Sequence, residues 1–348
     1  RPRRPGRRAR ASPRTTTVPA ARRRTGVAYL FLAPFLVLFA LFVLAPAVFG
    51  LWVSLTNWSP FRESQSFVGL RNYLDLFTPG SATSGDFWQS MIATGTFAVA
   101  SVPFLLAVPL LVAVLLNRRL RVGAFFRGVF FAPYVLGVAV IGVIWKYLLD
   151  TQSGIVNHLL GMAGLPSDIP WTVNVPWVWV SLVGVTVWWT MGFNTVILLA
   201  GLKGIGADLY EAAALDGAGA VRQFFSVKLP GLRPVMTFVT TITILASANM
   251  FGQSYLLTKG GPGTQTRTAI MYISDQGLSQ NNMAAAAAMS YVLFVFLAVI
   301  SIVNFRVQRE RTEKATRWPP CPPAASPRRA PWCSGPRSTP RSSCSRSS

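Results

Sequence analysis

The chain is 348 residues long, 51% hydrophobic and 13% charged, with a mean hydropathy of +0.42. Soluble domains carry about 25% charge, and here several runs approach or exceed the roughly 18 apolar residues that cross a hydrocarbon core of about 30 Å, so a soluble enzyme is excluded and an all-α, polytopic membrane protein is predicted. The net charge of +22 does not indicate nucleic acid: ten arginines lie in Arg1–Arg24 and six in Arg317–Arg346, whereas the middle is only mildly basic, the pattern of terminal tails that are disordered or rest on membrane lipid.

In chain order, residues 1–25 read as a basic disordered tail. The apolar run that follows, Gly26–Ser54, is too long for the core of a signal peptide and reads as a first span, with Pro34 and Pro46 tolerated as kinks. Asn57 to Gln89 is polar and turn-rich, an extramembrane loop whose Trp58, Phe87 and Trp88 suit the headgroup level. Met91–Leu116 is the second span. The short basic loop Asn117–Arg121, with Arg127, precedes the third, Val129–Leu149. Asp150–Val175 is a loop with a short helix at Ile155–Met162. Pro176–Leu202 is the fourth span, with Trp177 and Trp179 at an interface and Trp188 and Trp189 deeper, where they face lipid, pack, or line a cavity. Val235–Leu257 and Ala284–Phe305 complete six, and the alanines at 284–288 allow close helix approach. From residue 317 the chain turns Pro/Ser/Arg-rich without periodicity and reads as disordered or as an out-of-frame translation. Its Cys321, Cys333 and Cys344 fit neither a zinc pattern nor a disulfide framework.

Lys and Arg alternate between loops. One side takes the N-terminal arginines, Arg118, Arg119, Arg121, Arg127, Lys203, Arg222, Lys228, Arg233, Arg306, Arg309, Arg311 and Lys314. The other takes only Arg62, Arg71, Lys259 and Arg267, with Lys146 at a span end. The positive-inside bias places both termini in the cytoplasm of a cell-membrane protein. No G-x-x-x-x-G-K-[ST] occurs, so no ATP hydrolysis and no cofactor is expected of the chain itself. No acidic residue lies within a span, which argues against ion coupling. The single histidine, His158, supports no metal site and no catalytic residue is expected.

The cytoplasmic loop 203–234 interrupts this apolar pattern. Three of the eleven acidic residues, Asp208, Glu211 and Asp216, lie within nine positions of each other. Ala207–Asp216 has strong helix formers and an acidic first turn. Asp208, Glu211 and Leu215 share one face, and Leu209, Ala212 and Ala213 share another suited to close packing. Gly217 supplies a turn, and a second helix through Val221, Phe224 and Phe225 is expected to stop at Leu229-Pro230. The result is a helical hairpin presented to a partner.

At these residues the chain resembles the inner-membrane permease subunits of binding-protein-dependent ABC importers, whose loop reads E-A-A-x-x-x-G and then Leu-Pro. Here that is Glu211-Ala212-Ala213-Ala214-Leu215-Asp216-Gly217 and Leu229-Pro230. Asp216-Gly217-Ala218 and Phe224 extend the likeness to the carbohydrate branch. Thr258-Lys259-Gly260-Gly261-Pro262-Gly263 resembles the T-x-G-G-P-G loop of subunits like the larger maltose permease, with Lys259 a mild departure. The resemblance covers Arg22–Glu313, including Phe67–Tyr73.

It implies a sugar-translocating subunit that docks its coupling helix into a separate ATP-binding cassette ATPase dimer, pairs with a second permease subunit as a heterodimer, and receives its sugar from an extracytoplasmic binding protein. Glu211, Ala212, Ala213, Asp216, Gly217, Phe224, Leu229 and Pro230 would carry the coupling. On the later spans, Asn194, Thr195, Asn249, Gln253 and Tyr255 are candidates for the sugar pathway; each is equally able to bond a neighbouring helix. A glycerol-phosphate or polyol permease shares these motifs, and a membrane scaffold or receptor component would use the loop for a signalling partner.

Overall fold

The polypeptide is laid out as helices joined by short irregular segments, and a computed structural model describes residues 25–61, 65–81, 83–117 and 123–316. The terminal tails, with Cys321, Cys333 and Cys344, and the loop residues Arg62, Arg118, Arg119 and Arg121 lie outside the described residues. Among the described residues, four helices are long and apolar enough to cross a membrane: Tyr29–Ser54, Ser84–Leu116, Trp177–Lys203 and Met283–Val307. Two bent helix pairs raise the number to six if each is one span.

The first run comprises α1 (Thr25–Phe39), a π turn at Ala40–Leu44, and α2 (Ala45–Ser54). Ala45 N–H closes the π turn on Ala40 O, and Pro46 takes a first-turn position of α2, where no donor is required. The expected loop after it contains an unanticipated short helix, α3 (Arg71–Phe77), and α4 (Ser84–Leu116) begins seven residues before the expected span at Met91. Phe87 is consequently fully buried rather than set among headgroups, while Trp88 stays exposed.

The segment expected as the third span, Val129–Leu149, is built from two helices, α5 (Gly123–Val135) and α6 (Val138–Leu148), bent by 96°. Pro133 removes a helical donor near the end of α5, and Gly137 is extended at φ −66°, ψ 150°. The helix α7 (Ile155–Met162) falls where expected, and α8 (Trp177–Lys203) matches the fourth span within a residue. Just before α7, Asp150 accepts hydrogen bonds from the Ser153 N–H and Oγ and the Gln152 N–H, and these hold its carboxyl below the usual carboxylate range.

After α9 (Ala207–Leu215) and α10 (Ala220–Gln223), a π turn at Phe224–Lys228 leads into α11 (Leu229–Gly231). The expected stop at Leu229-Pro230 does not occur. The Leu229 N–H bonds to Phe224 O, five residues back, and Pro230 takes a first-turn position where no donor is required. The chain turns only at Leu232, by 70°, into α12 (Arg233–Ala248). That helix ends well short of the expected Leu257, because Asn249 folds its Nδ2 onto Leu245 O at 2.7 Å and caps it. A π turn at Ser254–Thr258, α13 (Ala269–Ser274), a π turn at Asp275–Ser279 and α14 (Met283–Thr316) complete the order.

Two compact units share the chain. In the first, formed by Arg1–Gly85 with Ile273–Val292, the Tyr291 hydroxyl donates to Ala47 O. Gly277 lies so near α14 that a Cβ there would stand 3.2 Å from that of Ala286, the close approach expected of the alanine run. In the second, formed by Asp86–Tyr272 with Leu293–Ser348, one core gathers Phe97, Ile141, Val178, Leu182, Val185 and Met250. Another lies around Ala113, Leu198, Leu202, Leu232 and Val239. Glycines set the helix spacing of this second unit. A Cβ on Gly192 of α8 would lie 2.2 Å from Phe130 O of α5, and one on Gly252 would meet Val138 of α6 at 2.6 Å.

Candidate functional site

The second unit contains a half-open cavity of about 420 Å³. Its wall takes Phe97 and Leu105 from α4, Tyr134 and Val138 from the bent pair, Thr186, Trp189, Phe193 and Asn194 from α8, Thr243 and Ser247 from α12, and the irregular stretch Asn249–Gln253. Non-helical backbone at membrane depth is tolerated where it is covered by protein or lines a cavity. Both helix breaks, at Leu136–Gly137 and after Ala248, adjoin this one.

Prolines and breaks leave carbonyls without helical donors, and side chains of α8 answer them. Pro109 cannot donate to Leu105 O, and Asn194 Nδ2 does so instead at 3.1 Å. Leu136 O, at the break between α5 and α6, receives Trp189 Nε1 at 3.1 Å. Ser101 Oγ donates to Ser247 Oγ at 3.2 Å, linking α4 to α12. Tyr134 and Phe193 stack at 5.0 Å and 17° to form an aromatic wall. Two polar groups are left uncommitted. Thr243 Oγ1 is buried, at 4% exposure, with no hydrogen-bond partner. Gln253, at 8%, makes no side-chain hydrogen bond among the described residues.

Of the five pathway candidates, Asn194, Asn249 and Gln253 line the cavity. Thr195 is buried beside it with Oγ1 3.4 Å from Pro109 O, a helix contact. Tyr255 is exposed and stacks on Phe251 at 5.3 Å. Sequence reasoning missed Thr243, whose hydroxyl among apolar neighbours was the available signal, and it left the aromatic wall unassigned.

The loop 203–234 forms a second candidate surface. The α9 C-terminus closes with the Ala218 N–H on Ala213 O at 2.9 Å and the Gly217 N–H on Ala214 O at 3.0 Å. Gly217 sits at φ +72°, the left-handed position this closure requires. Glu211, Ala212 and Asp216 are exposed, whereas Ala213, Phe224, Leu229 and Pro230 are half-buried. The face of α9 turned to the protein is Tyr210 and Ala213, not the expected Leu209, Ala212 and Ala213, since Leu209 and Ala212 are exposed. Burial pushes the Tyr210 phenol up, and its hydroxyl has no partner. Leu215 is 90% exposed, Val221 72% and Phe225 61%, an apolar patch beside the acidic residues.

The segment after the second break is tightly bonded. Thr258 Oγ1 and Thr266 Oγ1 lie 2.8 Å apart, and Thr266 Oγ1 also donates to Gly261 O at 2.7 Å. Arg267 forms an ion pair with Asp86 at 3.1 Å and lies over the Tyr272 ring at 4.6 Å.

A family model described as "Binding-protein-dependent transport system inner membrane component" matches residues 80–311. The arabinooligosaccharides transport system permease protein of Halalkalibacterium halodurans is 34% identical over 282 residues, covering 80% of this chain and 86% of that one. The sn-glycerol-3-phosphate transport system permease protein of Shigella flexneri is 34% identical over 279 residues, covering 80% and 92%. A chain in the crystal structure of a bacterial alginate ABC transporter, in complex with its alginate pentasaccharide-bound periplasmic protein, aligns with a TM-score of 0.69. It is 21% identical and covers 84% of this chain and 96% of that chain, a likeness of fold.

Proposed function

The chain belongs to the binding-protein-dependent transport system inner membrane components, a family of transport permeases rather than enzymes, and on that premise we propose that it moves a neutral sugar through the cavity of its second unit. The observation that carries this reading is the cavity lining. It contains no Lys, Arg, Asp or Glu, but it offers aromatic faces (Trp189 and the Tyr134–Phe193 pair) beside uncommitted hydroxyl and amide groups (Thr243 and Gln253). Aromatic faces take the C–H faces of a pyranose, and the polar groups satisfy its hydroxyls once water is expelled. A phosphate dianion would need a cation or a cluster of donors; Lys146, the nearest candidate in sequence, is exposed and outside the lining.

In this reading each bent pair is one span, giving six, with both termini cytoplasmic. An extracytoplasmic binding protein hands over the sugar. A second permease subunit completes the pore as a heterodimer, and a separate ATPase dimer supplies the energy. The α9 helix docks in the ATPase, with Glu211 and Asp216 as its acidic contacts and Gly217 holding its end. Ala212, Ala213 and Phe224 complete that surface, and Leu229-Pro230 pass the motion into α12.

Reconstitution of this chain with its second permease, ATPase and binding protein in proteoliposomes tests the reading. ATP-dependent uptake of labelled neutral oligosaccharides is expected, with no uptake of sn-glycerol 3-phosphate; the reverse result overturns it. Glu211→Lys and Gly217→Asp are expected to insert normally and to lose at least tenfold in uptake. Normal uptake by both removes the coupling role.

A further inference from the structure

We infer that a polar cavity in the first unit is a second sugar site, on the extracytoplasmic side, where one neutral sugar ring rests apart from the cavity in the second unit. The inference rests on the sugar-permease reading. This cavity has a volume of about 470 Å³, within the roughly 300–1,000 Å³ of ligand pockets. Its lining includes Trp58, Arg71, Asn72, Asp75, Asn281 and Asn282, and it shares no residue with the other cavity.

The walls are fixed before any ligand arrives. Asn72 Nδ2 donates to Ser54 O at 2.8 Å and to Thr56 O at 2.9 Å, which spends its donors and leaves Oδ1 as an acceptor. Tyr73 and Ser54 pair at 2.7 Å, so α3 is anchored to the end of α2. Asn57 N bonds to Ser66 O at 2.9 Å, and Val68 N bonds to Leu55 O at 3.0 Å. On the opposite wall the Asn282 N–H donates to Gln276 O at 2.9 Å, and Asn281 is held at φ +55°.

Charge selects the ligand class. Arg71 and Asp75 stand one helical turn apart on α3 and both line the cavity, yet neither forms an ion pair among the described residues. Arginine ahead of aspartate is the weaker order for an i, i+4 pair, and both side chains are exposed, so both remain open to a ligand. Unpaired at the cavity wall, they offer a guanidinium fork to vicinal oxygens and a carboxylate to hydroxyl protons, with formal charges that cancel. That suits a neutral polyol better than an anion. Trp58 is half-buried and has no stacking partner among the described residues, so it can serve as the platform for a sugar face. A docking peptide from another protein would instead favour an apolar centre, which this lining lacks.

The test uses the full chain in phospholipid nanodiscs, with maltotriose, α-1,5-arabinotriose and trehalose as probes read by saturation-transfer difference NMR. At least one probe is expected to give a signal that survives Trp189→Ala, which damages only the other cavity, and that falls at least fivefold when Trp58→Ala or Asp75→Asn is added to Trp189→Ala. Arg71→Ala is expected to lower it likewise; Arg71 is exposed, so the fold should tolerate the change, and unchanged thermal unfolding verifies this. A signal abolished by Trp189→Ala and untouched by the Trp58, Arg71 and Asp75 variants overturns the second site and leaves the transport reading standing. Variants that weaken capture of the binding protein while leaving the sugar signal intact also overturn it, making the surface a protein contact. No signal from any probe overturns the site, and the proteoliposome assay then decides separately whether the chain carries sugar at all.

Discussion

Thr243 and Gly192 illustrate how single side chains divide between stability and function. A buried hydroxyl without a partner costs about 1–3 kcal/mol of desolvation, so Thr243→Val, which keeps the shape, is expected to leave the unfolding temperature unchanged or raise it. On the proposed reading of the cavity, the same variant is expected to raise the apparent KM for sugar at least fivefold, because it removes a hydroxyl with no partner within the protein. Unfolding monitored in nanodiscs, beside uptake, checks both halves, and a drop in stability with normal uptake would assign Thr243 to packing. Gly192 works in the other direction. A Cβ there would lie 2.2 Å from Phe130 O, which is backbone and cannot swing away, so Gly192→Ala is expected to destabilise by about 3 kcal/mol, the upper end of overpacking costs. The sequence signalled Thr243 only as a hydroxyl among apolar neighbours and did not signal Gly192 at all, since one role depends on what fails to approach a hydroxyl and the other on what approaches a glycine.

At the scale of elements, α4 and α8 are joined by a repair. Pro109 leaves Leu105 O without its helical donor, and Asn194 provides one. Asn194→Leu in the otherwise unchanged chain is expected to cost about 1–3 kcal/mol through the stranded carbonyl. With Pro109→Ala present, α4 supplies its own N–H and the cost is expected to shrink by about 1 kcal/mol or more, a coupling measurable in a double-mutant cycle. Additive effects would mean that the contact does not serve the proline. The helix breaks follow the same logic. The turn residues were visible as Pro133, Gly137, Asn249 and Gly252, but hydropathy continues through them, and a membrane span was therefore expected where the chain bends. Composition measures whether a segment is apolar. It does not register whether its backbone is satisfied by itself or by a neighbour.

For the whole molecule, the distribution of Lys and Arg makes a topological prediction. With Cys321, Cys333 and Cys344 replaced by serine, a cysteine at Ser153 is expected to react with an impermeant maleimide on intact spheroplasts. One at Asp208 is expected to react only after the membrane is opened. Labelling of Asp208→Cys from outside would reverse the orientation and remove α9 from the reach of an ATPase. Both positions are exposed, so accessibility depends on side rather than burial.

The sequence by itself determined the class of the protein and its family. Apolar runs of spanning length and a spaced loop motif are local properties, written in consecutive residues. It also marked α7, α8, the turn at Gly217 and three of the five cavity candidates, because each follows from a local signal: a flanking glycine, an unbroken apolar run, or an amide inside one. Only the tertiary structure decided that Thr195 and Tyr255 stand outside the cavity, that Pro230 continues a helix through a π turn, and that Thr243 and a stacked Tyr134–Phe193 pair line the wall. Those facts depend on which distant carbonyl, ring or glycine lies opposite each residue, and the order of residues along a single helix does not fix what faces it.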